Sequence, residues 1–360
     1  MKGLVTKWTL ILLATLGMVA LGACSSDDGG GETVTDTSTT PDIATGEDMQ
    51  ATPDIAMEED LMAPEDTVEV PSGEPQVMVS FDPNSYELPE GVSVDDAGNI
   101  AVSIAGWGSI ALLKTDGTSK TVIPLSDQQA AESYTLGLAA RPGEIFAAVA
   151  AGGANPIPAP GIYKVTTDGT ASLYATHPAM YFANDIELLG DTMLVSDSGG
   201  TIYSVEEGAA EVWNDNELLK GDKTACDGMG EFDIGVNGLA YDGESVYAAV
   251  TDKGIVLKYA ASGGDPTVIV AACALAGADG IVADEDGSLI VAVNRSNKLV
   301  RIQQDGTFET MFEGPPLDFP ASLAIREFEG KRQLLVTNAS LISIAVPEMT
   351  AAPALVVLEL

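Results

Sequence analysis

Asp279-Gly280-Ile281-Val282-Ala283-Asp284-Glu285-Asp286-Gly287-Ser288-Leu289-Ile290-Val291-Ala292-Val293 is an apolar run, an Asp-Gly turn and a second apolar run. Asp-Gly between two such runs is a strong hairpin signal, because the tight turn needs residues that tolerate positive φ. The pattern continues through Leu299–Ile302, a second turn at Asp305-Gly306 and Phe308–Phe312, so one unit holds four strands. Residues 90–123 repeat it, with Val92–Val94, a turn at Asp96–Asn99, Ile100–Ile104, Ile110–Leu113, Asp116-Gly117 and Thr121–Ile123. Six unit openings superpose: Glu90-Gly91-Val92, Leu136-Gly137-Leu138, Asn184-Asp185-Ile186, Asn237-Gly238-Leu239, Asp279-Gly280-Ile281 and Ala321-Ser322-Leu323. Their spacings are 46, 48, 53, 42 and 42 residues. Periods of that length with strands inside signal a propeller or a solenoid. The expected fold is all-β: a six-bladed β-propeller of four strands per blade, over residues 76–360.

Closure is legible too. Unit six offers strands near Leu323–Arg326, Leu334–Thr337 and Ala354–Leu360, and lacks a fourth. Gln76–Phe81, ahead of unit one, is expected to complete that last blade and hide both sheet edges. No helical period of useful length follows the N-terminal leader.

First strands of a propeller line its channel, so the opening column Glu90, Leu136, Asn184, Asn237, Asp279, Ala321 belongs at the channel mouth. Four of the six carry side-chain oxygens and two are anionic. A hard cation such as Ca2+ takes several oxygens at about 2.3–2.6 Å, from carboxylates and amides. No Cys/His cluster supports zinc. Asn and Asp before Gly are also common turn residues, so each alone says little; their coincidence in one repeat column carries the reading. Two long second-to-third-strand loops, Ala151–Pro160 and Ser340–Pro353, are expected over the same mouth.

Composition narrows the function. The 360 residues carry 54 acidic and 16 basic side chains, a formal charge of −38. Phosphate neutralisation needs Lys and Arg, so nucleic acid is not an expected partner. Lys2, Lys7 and the apolar Leu10–Ala20 form a leader too short for a comfortable membrane span. Leu21-Gly22-Ala23-Cys24 resembles the bacterial lipoprotein processing box, which implies a signal peptide at 1–23 and acylation of Cys24; a plain secretory signal is the alternative. Ser25 after the Cys favours the outer membrane of a bacterial envelope, with membrane contact only through that lipid. Residues 24–75 contain no Lys or Arg, repeat Thr-Pro-Asp-Ile-Ala at 40–44 and 52–56, and read as an acidic disordered tether. Its reach is roughly 40 Å. In an oxidising compartment the two remaining cysteines, Cys226 and Cys273, read as a disulfide, or else as two separate buried thiols.

Asn184-Asp185-Ile186-Glu187 with Val195-Ser196-Asp197, Val236-Asn237-Gly238-Leu239-Ala240 and Ala278-Asp279-Gly280-Ile281 together resemble the gluconolactonase/senescence-marker-protein (regucalcin) family. The related diisopropyl-fluorophosphatases are similar as well. The resemblance covers about residues 76–360 and is strongest over 181–310. It implies a six-bladed propeller with a channel cation, usually Ca2+, held here by Glu90, Asn184, Asn237 and Asp279. It also implies hydrolysis of lactones, other esters or organophosphates, with Asp279 acting as base toward water or as nucleophile. Trp107, His177, Tyr181, Phe182 and Arg295 are the expected pocket walls, and the expected partner is a small ester or lactone met by a monomer. Two departures stand out. Leu136 and Ala321 are apolar where several hydrolytic relatives place polar side chains, and no Pro-aromatic signature of sugar lactonases follows Glu90. The competing class is a non-enzymatic binding propeller in which Ca2+ is structural. A quinone-dependent dehydrogenase lacks any supporting basic cluster.

Overall fold

The computed structural model describes residues 73–360 apart from 119, 129, 167 and 227–231; the leader, Cys24 and residues 25–72 of the tether lie outside the described residues. The described chain forms six antiparallel sheets of four strands each. Five blades run in simple sequence order, from the first strand outward. The sixth is ordered Pro320–Phe328, Lys331–Asn338, Ala354–Glu359 and then Gln76–Ser80, so the N-terminal strand completes the last blade as the edge argument requires. The innermost strands are Pro89–Val94, Ser133–Arg141, Ala183–Leu189, Val236–Tyr241, Ala278–Ala283 and Pro320–Phe328. Each touches the innermost strand of both neighbouring blades, and the last touches the first, so the ring is closed. Among the described residues, no helix is long and apolar enough to cross a membrane.

The core lies between adjacent sheets, where alternate side chains of facing blades interdigitate. Val195, Met193 and Tyr203 of blade three pack on Phe146 and Ala148 of blade two, for example. One helix was not legible in the sequence. Leu341–Ala345 makes a single turn in the long blade-six loop, with Leu341 and Ser343 buried. Five residues are too few to show a period; packing of that apolar side onto the channel mouth holds the turn.

Charges are rationed in this interior. Arg301, only 8% exposed, donates to Asp284 at 2.8 Å and Asp286 at 3.0 Å, and Arg332 of blade six reaches the other oxygen of Asp284. Burial pushes the Asp284 carboxyl up, but hydrogen bonds from Arg332 and Arg301 outweigh it and hold the group below the usual carboxylate range. Asp284→Ala strands a buried guanidinium and should cost about 3–5 kcal/mol in a denaturant titration.

Candidate metal centre at the channel mouth

Every first strand slips register by one residue at the same place. The shift falls between Pro89 and Val92, Thr135 and Leu138, Ala183 and Ile186, Val236 and Leu239, Ala278 and Ile281, and Pro320 and Leu323. The two residues inside each slip are the two that open the repeat. Such bulges re-aim a side chain out of the normal alternation, and here all six aim into one space. Glu90, Leu136, Asn184, Asn237, Asp279 and Ala321 line a single cavity that opens at the mouth. All six are buried, at 8% exposure or less.

The bulge brings the blades close. A Cβ on Gly238 or Gly280 would sit 2.3 or 2.4 Å from the carbonyl oxygen of Asp279 or Ala321 in the next blade, so only glycine fits. Where blade three has Asp185 instead, its carboxylate takes the Leu239 N–H of blade four at 2.9 Å and its own Ile186 N–H at 2.9 Å. Where blade six has Ser322, its hydroxyl accepts from Val92 N–H of blade one at 3.3 Å.

A second column partners the first, and sequence reading missed it. Counting along the register, the residue next after the partner of each bulge's first flank is Ala105, Ala150, Ser198, Thr251, Asn294 or Ala339 in blades one to six. It is polar in the three blades that carry Asn184, Asn237 and Asp279. Asn184 donates through Nδ2 to Ser198 Oγ at 2.9 Å, and that hydroxyl donates to Val236 O of blade four at 3.1 Å. Asn237 Nδ2 donates to Thr251 Oγ1 at 3.1 Å, which donates to Ala278 O of blade five at 2.8 Å. Asn294 Nδ2 donates to Asp279 Oδ2 at 2.9 Å.

These relays fix the chemistry of the site. Each amide spends one N–H of its Nδ2 on a hydroxyl that is itself tied to backbone, which fixes the amide plane and leaves Oδ1 as its acceptor. Burial pushes Glu90 well above its ordinary value, and the charges of Asp279 and Asp185 push it further. Burial lifts Asp279 to about 7 against the pull of the Asn294 hydrogen bond, with Asp185 adding to the rise. Two carboxyls lifted chiefly by burial, in one cavity with two amides, form a donor set that a divalent cation would neutralise. The set is mixed: among the described residues no three His, Cys, Asp or Glu side chains gather closely enough to hold a metal by themselves. Thr251→Val removes the relay behind Asn237, and a cation bound there should lose about 10–100-fold in affinity by calorimetry.

Of the five expected pocket walls, Phe182 and Arg295 line the cavity. For Arg295, the neighbour across blades is Asp252, whose carboxylate accepts from Ile234 N–H at 2.6 Å. Trp107 lies on the rim, with its indole N–H spent on Ser85 O at 2.9 Å. Tyr181 is 57% exposed outside the cavity; its backbone N–H donates to Asp197 at 2.8 Å and its hydroxyl to Gly153 O at 3.3 Å. His177 stacks on Tyr203 with ring centroids 5.0 Å apart, and its Nδ1 accepts from Ala179 N–H, which fixes the ring away from the mouth. Cys226 and Cys273 are disulfide-bonded, tying the loop that leads to Asn237 to the loop that leads to Asp279.

The channel continues below the mouth. Asp185 and Glu187 line a second space there, and removal from bulk water lifts them to about 6 and about 8.

Solved structures share this architecture. Regucalcin from Agrobacterium tumefaciens, described as a calcium-binding protein, superposes with a TM-score of 0.58 at 18% identity, over 80% of this chain and 93% of that one. A luciferin-regenerating enzyme gives 0.57 at 15% identity, over 79% and 95%. The shared fold is the six-bladed β-propeller. A gluconolactonase from Xanthomonas campestris matches it with a TM-score of 0.54 at 14% identity, over 81% and 90%. No protein-family model matches the chain, and no curated protein matches it. At these identities the likeness is one of fold.

Proposed function

We propose that this regucalcin-like propeller is a divalent-cation-dependent hydrolase of a small cyclic or open ester, with Ca2+ the cation that the donor set suits best. The observation that carries the reading is the convergence of Glu90, Asn184, Asn237 and Asp279 on one buried cavity, with both amides oriented from behind. A bound Ca2+ would supply Lewis acidity toward the ester carbonyl and neutralise the two carboxylates.

Asp279 is the residue for proton transfer. Its carboxylate lies in the cavity with the other donors, and a positioned carboxylate can take a proton from water. Asn294 anchors one of its oxygens, leaving the other for water. Water oxygen bonds to the acyl carbon, its proton passes to Asp279, the ring C–O bond breaks, and the proton goes on to the leaving alkoxide. Glu90, 8% exposed, stays out of bulk water and offers only its carboxylate to the cavity. The cavity walls exclude competing solvent, which strengthens every electrostatic contact inside.

Export and anchoring through Cys24 complete the proposal, giving an enzyme of the bacterial envelope tethered to the outer membrane. The bonded Cys226–Cys273 pair supports an oxidising compartment. Incubating the protein with Ca2+ and a lactone panel, with and without chelator, tests the activity. Turnover that chelator removes and Ca2+ restores is the expected result; no turnover of any lactone or ester overturns it.

A further inference from the structure

The cavity has two unlike halves. Blades three, four and five present Asn184, Asn237, Thr251, Asp279, Asn294 and Arg295, with the apolar Phe182 and Ile234 beside them. Blades six, one and two present the ring of Tyr134, the side chains of Ala105, Leu136, Phe319 and Ala321, and Leu341 from the blade-six helix. These apolar groups pack together as one continuous cluster, with Leu88, Ala150 and Ala339 behind them. Glu90 is the one oxygen donor of the opening column on that side. The split follows the repeat: blades two and six have lost their polar group in both columns, as Leu136 with Ala150 and Ala321 with Ala339.

We propose that the substrate is an amphipathic ester, a lactone bearing an alkyl or aryl substituent, rather than a polyhydroxylated sugar lactone. The inference rests on the hydrolase reading for its reaction and on the wall alone for its substrate class. The reacting carbonyl lies toward blades three to five, and the substituent lies along Leu136, Phe319, Ala321 and Leu341. A sugar lactone would place several hydroxyls against this wall. Each would give up hydration without gaining a partner, which a site discriminates against strongly. A hydrocarbon substituent gains there instead. Leu341 closes the wall from the helical turn in the long blade-six loop, which extends the apolar surface and sets how long a chain it covers.

The test uses the full chain with Ca2+ and two matched series. The first is γ-butyrolactone, γ-hexalactone, γ-octalactone and γ-decalactone, with glucono-δ-lactone beside them. kcat/KM should rise about two- to fourfold per added methylene until the wall is covered. Glucono-δ-lactone should fall at least about tenfold below γ-octalactone. The second series, the corresponding γ-lactams, resists hydrolysis and is read by calorimetry, where Kd should fall with chain length in the same way. Leu136→Asn should flatten both slopes; if that variant does not fold, the lactam series on the unmodified protein decides. Lactam binding that strengthens with chain length, without turnover of any lactone, would support the substrate class and overturn the hydrolase. Lactone turnover with no chain-length slope, or with glucono-δ-lactone preferred, would overturn the substrate class and leave the hydrolase standing. Lactams that bind without a slope, or not at all, also overturn the substrate class.

Discussion

Asp279→Asn should lower ester hydrolysis by about 10²–10⁴-fold and yet raise the stability of the cation-free protein at pH 8. Both effects come from one carboxylate. Asp279 is 7% exposed, and burial lifts it to about 7, so holding it ionised at pH 8 works against folding. Asparagine has nearly the same shape, keeps an oxygen for the Asn294 N–H at the Oδ2 position, and carries no charge. The stabilisation should be on the order of 2–4 kcal/mol in chelator, and Ca2+ should add less to the variant than to the parent. Thermal melts of both proteins with chelator and with Ca2+, beside kcat/KM on one lactone, read all of this together. A purely structural carboxylate would predict the opposite sign, because its replacement would lower stability under both conditions.

The second large effect is the pH dependence of the cation-free fold. Glu90, Asp279, Asp185 and Glu187 all have folded values raised above those of the unfolded chain. The folded state therefore binds more protons than the unfolded state between about pH 4 and the raised values. Stability from these groups is fully present below about pH 4, where both states are protonated, and is lost as pH climbs through about 6 to 8. Asp284, whose folded value is lowered, acts in the other direction: its contribution disappears as pH falls below the usual carboxylate range. In chelator, the melting temperature should drop by roughly 5 °C or more between pH 5.5 and pH 8.5. Millimolar Ca2+ should restore most of that loss at pH 8.5 and little at pH 5.5, since a cation replaces the protons it displaces. A melting temperature that is flat with pH in chelator would contradict the buried ionisation on which the site depends.

Much of the fold was legible because a repeat multiplies weak signals. One Asp-Gly turn is a hint, whereas six superposed openings with strands at matching offsets fix blade number, strand number and the identity of the channel-facing residue. Closure by Gln76–Ser80 followed from an edge left unpaired at the chain's other end. The bulge was hidden, because an extra residue in a strand leaves no mark in an apolar run, and it is the bulge that turns Asn184 or Asp279 into the cavity. The second column was hidden for a related reason. Ser198 and Thr251 lie 14 residues after their amides and Asn294 lies 15 after Asp279, while the blade-six hairpin is longer, so no constant offset exposes them. Counting back from the end of each second strand would have found all three. Trp107, His177 and Tyr181 show the limit of loop reading. Sequence placed them over the mouth, but Ser85 O, Tyr203 and Asp197 decide where their side chains or backbone are held, and those contacts are long-range.

Diffraction from crystals grown in Ca2+, with Mn2+ substituted to give an anomalous signal, is the most direct measurement. The account predicts one strong peak inside the cavity, with oxygens of Glu90, Asn184, Asn237 and Asp279 within about 2.3–2.6 Å of the Ca2+ and water completing the shell. An ordered cavity with no peak among those four groups, or a cation bound elsewhere in the channel while they remain bare, would contradict it.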